Sequence, residues 1–253
     1  MSKPLADRRV WLTRPAGQNT AWADALTAAG AVVKSEPLLE IVPPQDAGAA
    51  LGALVRAESA DWTIACSTNA VQRALALRPG FAPSGRLAAV GSATGAALER
   101  ATGREVVCPA RFDADAVLDM PELQSVAGQF ISMLAGEGGR TRLANELAAR
   151  GAQVEKIAAY RRIGCNLSKP KLAGLVEWAN TIIVTSGDAL AHFCHLLLAA
   201  GMTRDCLSQL WVPSERSISR ADNRIVDTQD CHVLPAMQPD SIVDALAKIE
   251  PTH

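Results

Sequence analysis

The stretch FISMLAGEGGRTRLANELAARGAQVEKIAAYRR, Phe130 to Arg162, leaves a chain few folds to choose from. An apolar run ends at Ala135 in a glycine-rich turn, Gly136 to Gly139. A helical pattern then places Leu143, Leu147 and Ala148 on one face and stops at Gly151. A second run with strand-like alternation, through Val154, Ile157 and Ala159, leads into Tyr160 and the pair Arg161-Arg162. Strand, glycine turn, helix, glycine stop and strand make the βαβ unit of a parallel sheet. Such sheets hold ligands beyond the carboxyl ends of their strands. That puts Gly136 to Arg140 at a rim, and Tyr160 near an exit from its domain.

The rest of the chain repeats this plan. Val10 to Thr13 is a short strand, Arg14-Pro15 turns out of it, and Asn19 or Thr20 starts a helix through Trp22 and Leu26 that ends at Gly30. Val32 to Val42 runs on as an extended segment broken by Pro37, which suits an edge strand or a linker between domains. Helix, strand and capped helix follow in Ala47 to Ala57, Trp62 to Ala65 and the segment after Ser67-Thr68-Asn69. Arg86 to Val90 and Glu105 to Cys108 are expected as strands, and Asp113 to Leu118 as a short helix. Beyond Arg162 the pattern gives a helix over Leu167 to Glu177 interrupted by Pro170, and a strand before Thr185-Ser186. Another strand lies over Leu210 to Val212, a short helix holds Arg220-Ala221, and a closing helix spans Ile242 to Ile249 behind Asp240 or Ser241. The segments around Ser67 and Ser186 echo each other, an apolar strand followed by a hydroxyl turn and an apolar helix start, which favours two similar α/β domains over one large sheet.

Composition narrows the function classes. With 253 residues, 49% hydrophobic and 20% charged, this is a folded chain of one or two domains. Aromatics at 4% leave no stacking platform for single-stranded nucleic acid, and a net charge of -1 excludes a general polyanion binder. No apolar run reaches the roughly 18 residues that span a bilayer. MSKPLADRRVWLTRP has no apolar stretch after its charges, and six cysteines are scattered without a CxxC pair. Reduced thiols and a cytoplasmic location, away from membranes, are expected.

Several chemistries fail on spacing. GSATG lacks the GxGxxG spacing and the later acid of a dinucleotide site. AGEGGRTR lacks the Lys-Ser/Thr pair of a phosphate loop, and there is no GxSxG elbow. His192, His195, His232 and His253 have no partners at metal-ligand spacing. What recurs instead is a hydroxyl or glycine turn at strand ends: Thr13-Arg14, Ser67-Thr68, Gly91-Ser92-Thr94, Gly136-Glu137-Gly138, Thr185-Ser186 and Pro213-Ser214. Each alone is a helix cap. Together, from both expected domains, they line one crevice with N–H groups and hydroxyls suited to a polycarboxylate.

The same pieces, VWLTRP, DWTIACSTNAV, LAAVGSATGAALE, the run Gly136 to Arg162, TIIVTSGDAL and VPSER, resemble the uroporphyrinogen-III synthase family in order and over almost the whole chain. The resemblance implies two flavodoxin-like parallel-sheet domains. Residues 1–36 with 167–253 would form one and residues 43–155 the other, joined by linker strands 37–42 and 156–161. It implies a cyclising lyase without metal or organic cofactor, acting as a monomer in tetrapyrrole and heme biosynthesis. Such an enzyme closes hydroxymethylbilane, received from the preceding pathway enzyme, into uroporphyrinogen III with inversion of ring D and loss of water. Carried over residue by residue, Tyr160 falls on the family's tyrosine, which would hydrogen-bond the departing hydroxyl. Arg14, Ser67, Thr94 and Ser186 fall on its cleft positions, and Thr68, Gly91, Gly136, Gly138, Ser214 and Arg216 complete the expected substrate contacts. Cys66 stands where a threonine is usual, and SRADNRI after PSER lacks the usual glycine-phenylalanine pair. The competing readings are a two-domain module that binds a small anion without catalysis, and a homologue that binds partners but has lost turnover.

Overall fold

The computed structural model describes residues 3–109, 114–139, 141–227, 229 and 231–251. Asp113, Arg140 and His253, named above, lie outside the described residues. The chain divides into two compact units, Met1–Glu40 with Ile163–His253, and Ile41–Arg162. Each is built on its own five-stranded sheet.

In the first unit the strands are β1 (Arg9–Leu12), β2 (Val32–Ser35), β8 (Thr181–Ile183), β9 (Gln209–Val212) and β10 (Cys231–Val233), in the order β10-β9-β8-β1-β2. Every pair in it is parallel. A parallel strand needs a crossover, so helices cover both faces and strand residues alternate between two cores. Trp11, Ile182, Leu210 and Val212 face α7 (Lys169–Trp178) and α8 (Gly187–Ala200). Val10, Leu12, Ile183 and Trp211 face α1 (Thr20–Ala28) and α10 (Pro239–Ala247).

The second unit orders β3 (Leu39–Val42), β4 (Trp62–Ala65), β5 (Arg86–Ala89), β6 (Phe130–Gly136) and β7 (Gln153–Gly164) as β3-β7-β6-β4-β5. Pairing among β4, β5, β6 and β7 is parallel. Ala65, Leu87, Ala89 and Leu134 pack on α2 (Ala47–Ala57), α3 (Thr68–Leu77) and α4 (Ser92–Thr102). Trp62, Ile64, Ala88, Ile131 and Met133 pack on α5 (Ala114–Leu118) and α6 (Arg142–Ala149). The strand order reverses between β1 and β8 in one unit and between β4 and β6 in the other. This is the flavodoxin-like winding, whose reversal opens a ligand crevice at the carboxyl ends.

Several expected elements differ, each for a local reason. The segment from Val32 to Val42 is two strands in two sheets, because Pro37 breaks it. Glu105 to Cys108 is no strand; only Val107 bridges to Ala88, and Pro109 has no N–H with which to continue a ladder. Pro170 does not interrupt α7 but lies in its first turn, and Pro239 likewise opens α10 ahead of Asp240 and Ser241. The short helix α9 is Glu215–Ile218, so Arg220 and Ala221 follow it as a turn. The two similar segments are not equivalent in their sheets, since β4 lies between β5 and β6, on the far side of its reversal from the later strands β6 and β7, whereas β8 lies between β1 and β9.

A buried cation closes the first unit. Arg8 is 2% exposed, and its guanidinium donates to Thr181 Oγ1 at 2.8 Å, Gln209 Oε1, Leu246 O at 2.8 Å and Ile249 O. It thus ties the start of the sheet to β8, β9 and the end of α10. All four acceptors are neutral, and burial lowers the arginine pKa without discharging it. Arg8→Met keeps the aliphatic stem but strands these acceptors, and should cost about 2–4 kcal/mol in urea unfolding.

Above Arg8, His232 stacks on Trp211 with ring centroids 4.8 Å apart. Its pKa is lowered, first by burial and then by the Arg8 charge. The folded state therefore binds this proton less readily than the unfolded chain does. The contribution to stability is complete above the unfolded pKa of about 6.5 and is lost as pH falls through the lower folded value. Tm should fall more steeply from about pH 7 to about pH 5 in the wild type than in His232→Asn, as differential scanning fluorimetry would read.

Candidate active site

At the reversal in the second unit, β4 ends at Ala65 and the chain enters α3 through Cys66 and Ser67. A helix begun directly after a strand needs an acceptor for its first free N–H groups. Ser67 supplies it, its Oγ accepting from Ala70 N at 3.2 Å. Thr68 is the first residue of the helix and is half-buried. The neighbouring strand β6 ends at Gly136, where the pairing with β7 slips, so that Gly136 lies opposite Tyr160.

That slip is shaped by the glycine. A Cβ on Gly136 would stand 2.8 Å from Cζ of Tyr160 and 3.1 Å from its hydroxyl oxygen. With no side chain there, the ring lies across the end of β6 and its Oη reaches Ser67 Oγ at 3.3 Å. Tyr160 is 1% exposed and packs with Ala65, Leu134 and Ile157. Arg162 Nη2 donates to the same Oη at 2.9 Å, with its guanidinium carbon 5.4 Å from the ring centroid. Sequence reasoning left Arg162 without a role. The signal was available, because residues two apart on a strand share a face.

The glycine turn is tied down from within. Glu137 N donates to Tyr160 O at 2.7 Å, Gly139 N to Gly136 O at 3.2 Å, and Lys156 Nζ to Gly139 O at 2.6 Å. Gly138 adopts φ 64°, a left-handed conformation that glycine takes without steric cost. Beside Ser67, burial pushes the Cys66 thiol up to about 11 while Lys156 pulls slightly the other way. Cys66 is therefore a neutral thiol at physiological pH and no nucleophile. Gly91 and Thr94 open α4 one strand away, where Gly91 O accepts from Thr94 N at 3.0 Å, from Gly95 N at 2.9 Å and from the Cys108 thiol at 3.9 Å. The structure brings Ser67, Gly136 and Tyr160 together, with Thr68 and Gly138 alongside, and sets Gly91 and Thr94 apart from their hydrogen-bonded group.

In the first unit, Thr13 and Arg14 follow β1, and Ser186 follows β8 across that unit's reversal. Thr13 Oγ1 donates to Ile183 O at 2.8 Å, which fixes the two strand ends together. Ser186 Oγ accepts from Ala189 N at 3.1 Å, as Ser67 does from Ala70. Arg14 Nε donates to Gln18 O at 3.0 Å, its guanidinium lies 4.5 Å from the Trp22 ring centroid, and burial lowers its pKa. Ser214 precedes α9 and shares a bond with Ser217 Oγ at 3.0 Å, while Arg216 is exposed within that short helix. Arg220, whose stem packs on Gly187, pairs with Asp188 at 3.0 Å.

The winding and these rims define a class: flavodoxin-like α/β units carrying neutral hydroxyls and glycine turns at their strand-order reversals. Residues 20–212 match the family described as uroporphyrinogen-III synthase HemD. A uroporphyrinogen-III synthase of Salmonella typhimurium is 33% identical over 196 residues, 74% of this chain and 79% of that protein. One of Synechococcus elongatus is 32% identical over 204 residues, 77% and 76% respectively. The fold is similar to a uroporphyrinogen-III synthetase structure from Helicobacter pylori, with TM-score 0.61 and 10% identity over 96% of this chain and 100% of that one. A mutant synthase structure from Thermus thermophilus gives TM-score 0.55 at 15% identity, over 84% and 87%. The chain belongs to the uroporphyrinogen-III synthase family.

Gly136→Ala should push the Tyr160 ring out of place. We expect a loss of about 1–3 kcal/mol from this overpacking. Gly174→Ala, in α7 where an added methyl meets nothing within 4 Å, should be neutral or slightly stabilising. Chemical denaturation of both variants gives the comparison, and equal effects would mean that the Tyr160–Gly136 contact carries no strain.

Proposed function

We propose that this protein is a cyclising lyase that converts hydroxymethylbilane into uroporphyrinogen III and water. The observation that carries the reading is the hydroxyl pair Tyr160–Ser67, backed by Arg162, at the strand-order reversal of a chain of this family. The substrate's hydroxymethyl carbon–oxygen bond breaks with its electron pair on oxygen, leaving an azafulvenium cation. The substituted α-carbon of ring D attacks that cation to give a spirocyclic intermediate. Fragmentation and reclosure at the other α-carbon invert the ring, and the proton lost there balances the departing hydroxide as water. A hydroxyl donor at the leaving oxygen supplies a bond that strengthens as this oxygen gains charge. The tyrosine–serine pair is suited to that task and Cys66 is not.

Because linear hydroxymethylbilane also closes unaided to the uninverted isomer, holding its shape matters as much as assisting departure. Its eight carboxylates suit helix starts and arginines. In this proposal Arg14, Ser186, Ser214 and Arg216 of one unit bind carboxylates, as do Thr68, Gly91, Thr94, Gly136 and Gly138 of the other, while Ser67 meets the substrate at its hydroxymethyl end. Residues 37–42 and 156–161 serve as linker strands between residues 1–36 with 167–253 and residues 43–155. The protein works as a cytoplasmic monomer without cofactor and takes its substrate from the enzyme that makes it. Six free cysteines and the absence, among the described residues, of a helix long and apolar enough to cross a membrane support that location.

Freshly made hydroxymethylbilane, followed by oxidation and separation of the isomers, is the test. The type III isomer should dominate, with type I confined to what spontaneous closure provides. Type I alone at the uncatalysed rate would overturn the synthase reading in favour of a non-catalytic binding module.

A further inference from the structure

Two neighbours of Tyr160 Oη decide where its proton goes. A guanidinium has donors only, so Arg162 at 2.9 Å occupies a lone pair of the phenolic oxygen. The bond to Ser67 Oγ at 3.3 Å can run in either sense, and a cation on one lone pair makes the phenol the stronger donor of the two hydroxyls. Ser67 Oγ already accepts the Ala70 N–H as cap of α3. A hydroxyl oxygen has two lone pairs and one proton. With Ala70 and Tyr160 donating to it, what Ser67 has left to offer is its proton. Exposure points the same way: Tyr160 is 1% exposed, whereas Ser67 is half-buried at the rim.

Resting on the synthase reading above, we infer that Ser67, and not Tyr160, donates the hydrogen bond to the departing hydroxyl of the substrate. Tyr160 and Arg162 are positioning residues that aim the serine proton outward. The order of donation is Arg162 to Tyr160, Tyr160 to Ser67, and Ser67 to the leaving oxygen. Each bond polarises the next, so the Arg162 charge strengthens the terminal donor. No proton is consumed from the enzyme, because the one lost by ring D completes the water.

The test compares type III formation by the wild type, Ser67→Gly, Ser67→Thr, Tyr160→Phe and the double variant Ser67→Gly/Tyr160→Phe. Glycine is a tolerable cap, costing only a few tenths of a kcal/mol, so α3 should stay folded in Ser67→Gly. We expect kcat/KM to fall about ten- to a hundredfold in Ser67→Gly, through kcat, and to recover in Ser67→Thr. Tyr160→Phe should lose less, about tenfold at most, and the double variant should be no slower than Ser67→Gly alone. Near wild-type turnover by Ser67→Gly, with a larger loss in Tyr160→Phe, would make Tyr160 the direct donor and overturn the inference. A readout independent of turnover is available because the chain has a single tyrosine. The hydroxyl-sensitive Raman doublet of its ring should show a phenol that both donates and accepts in the wild type, and only accepts in Ser67→Gly. An unchanged doublet would overturn the chain of donation even if turnover falls. Type I alone from the wild type would instead sink the synthase reading and Ser67's part in the reaction, while the doublet would still judge the hydrogen bonds.

Discussion

A parallel strand cannot return by a hairpin, and most of this molecule follows from that constraint. Each strand must hand the chain to a crossover, and a crossover helix that starts at once needs its first N–H groups capped. Ser67 and Ser186 answer the same need in the two units with nearly the same backbone, φ -163° and ψ 157° against φ -159° and ψ 156°. Each accepts from the N–H three residues on. The winding then reverses beside β4 in one sheet and beside β1 in the other, so that Ser67 and Ser186 each flank their own unit's reversal. A capping requirement therefore leaves a polar hydroxyl at the place where such sheets take ligands.

The parts legible in the sequence were those that depend on neighbours in the chain. The βαβ unit from Phe130 to Arg162 was readable because its apolar spacing changes from strand to helix and back between glycines. Pro37 marked a break for the same reason, since its ring and missing N–H act within a residue or two. Proline also misled, because a proline near a helix start can open the helix as well as interrupt it. Pro170 and Pro239 both open theirs. Glu105 to Cys108 has strand-like residues, but it meets the sheet at one point only.

What lay beyond reach was the joining of residues far apart. Ser67 and Tyr160 are 93 positions apart in the chain, and their bond needs both the β4-β6-β7 order and the pairing slip at Gly136. Neither leaves a mark in local spacing. The glycine turn had suggested a row of free N–H donors, yet Glu137 and Gly139 spend theirs on Tyr160 O and Gly136 O. The turn's first task is to hold the tyrosine strand. Resemblance to the family pointed to Tyr160 and Ser67 separately, and strand alternation puts Arg162 on the face of Tyr160, but the meeting of all three at one oxygen comes only with the fold.

The composition of this group bears on its chemistry. The described histidines, His192, His195 and His232, all belong to the other unit, on α8 and β10. With Ser67 stand a phenol, a guanidinium that does not discharge and a thiol raised to about 11 by burial, and the Lys156 ammonium is tied to Gly139 O. Such a set is poorly equipped to shuttle protons at neutral pH but well equipped to present fixed dipoles. That matches a reaction whose leaving group departs readily from an electron-rich pyrrole and whose difficulty is geometric, the choice of which ring D carbon closes the macrocycle. A strong general acid would hasten departure without regard to the folded shape of the chain, and an early azafulvenium could close to either isomer. A weak, rigidly aimed donor assists departure only when the hydroxymethyl group is already in place, which couples bond breaking to the conformation that leads to inversion.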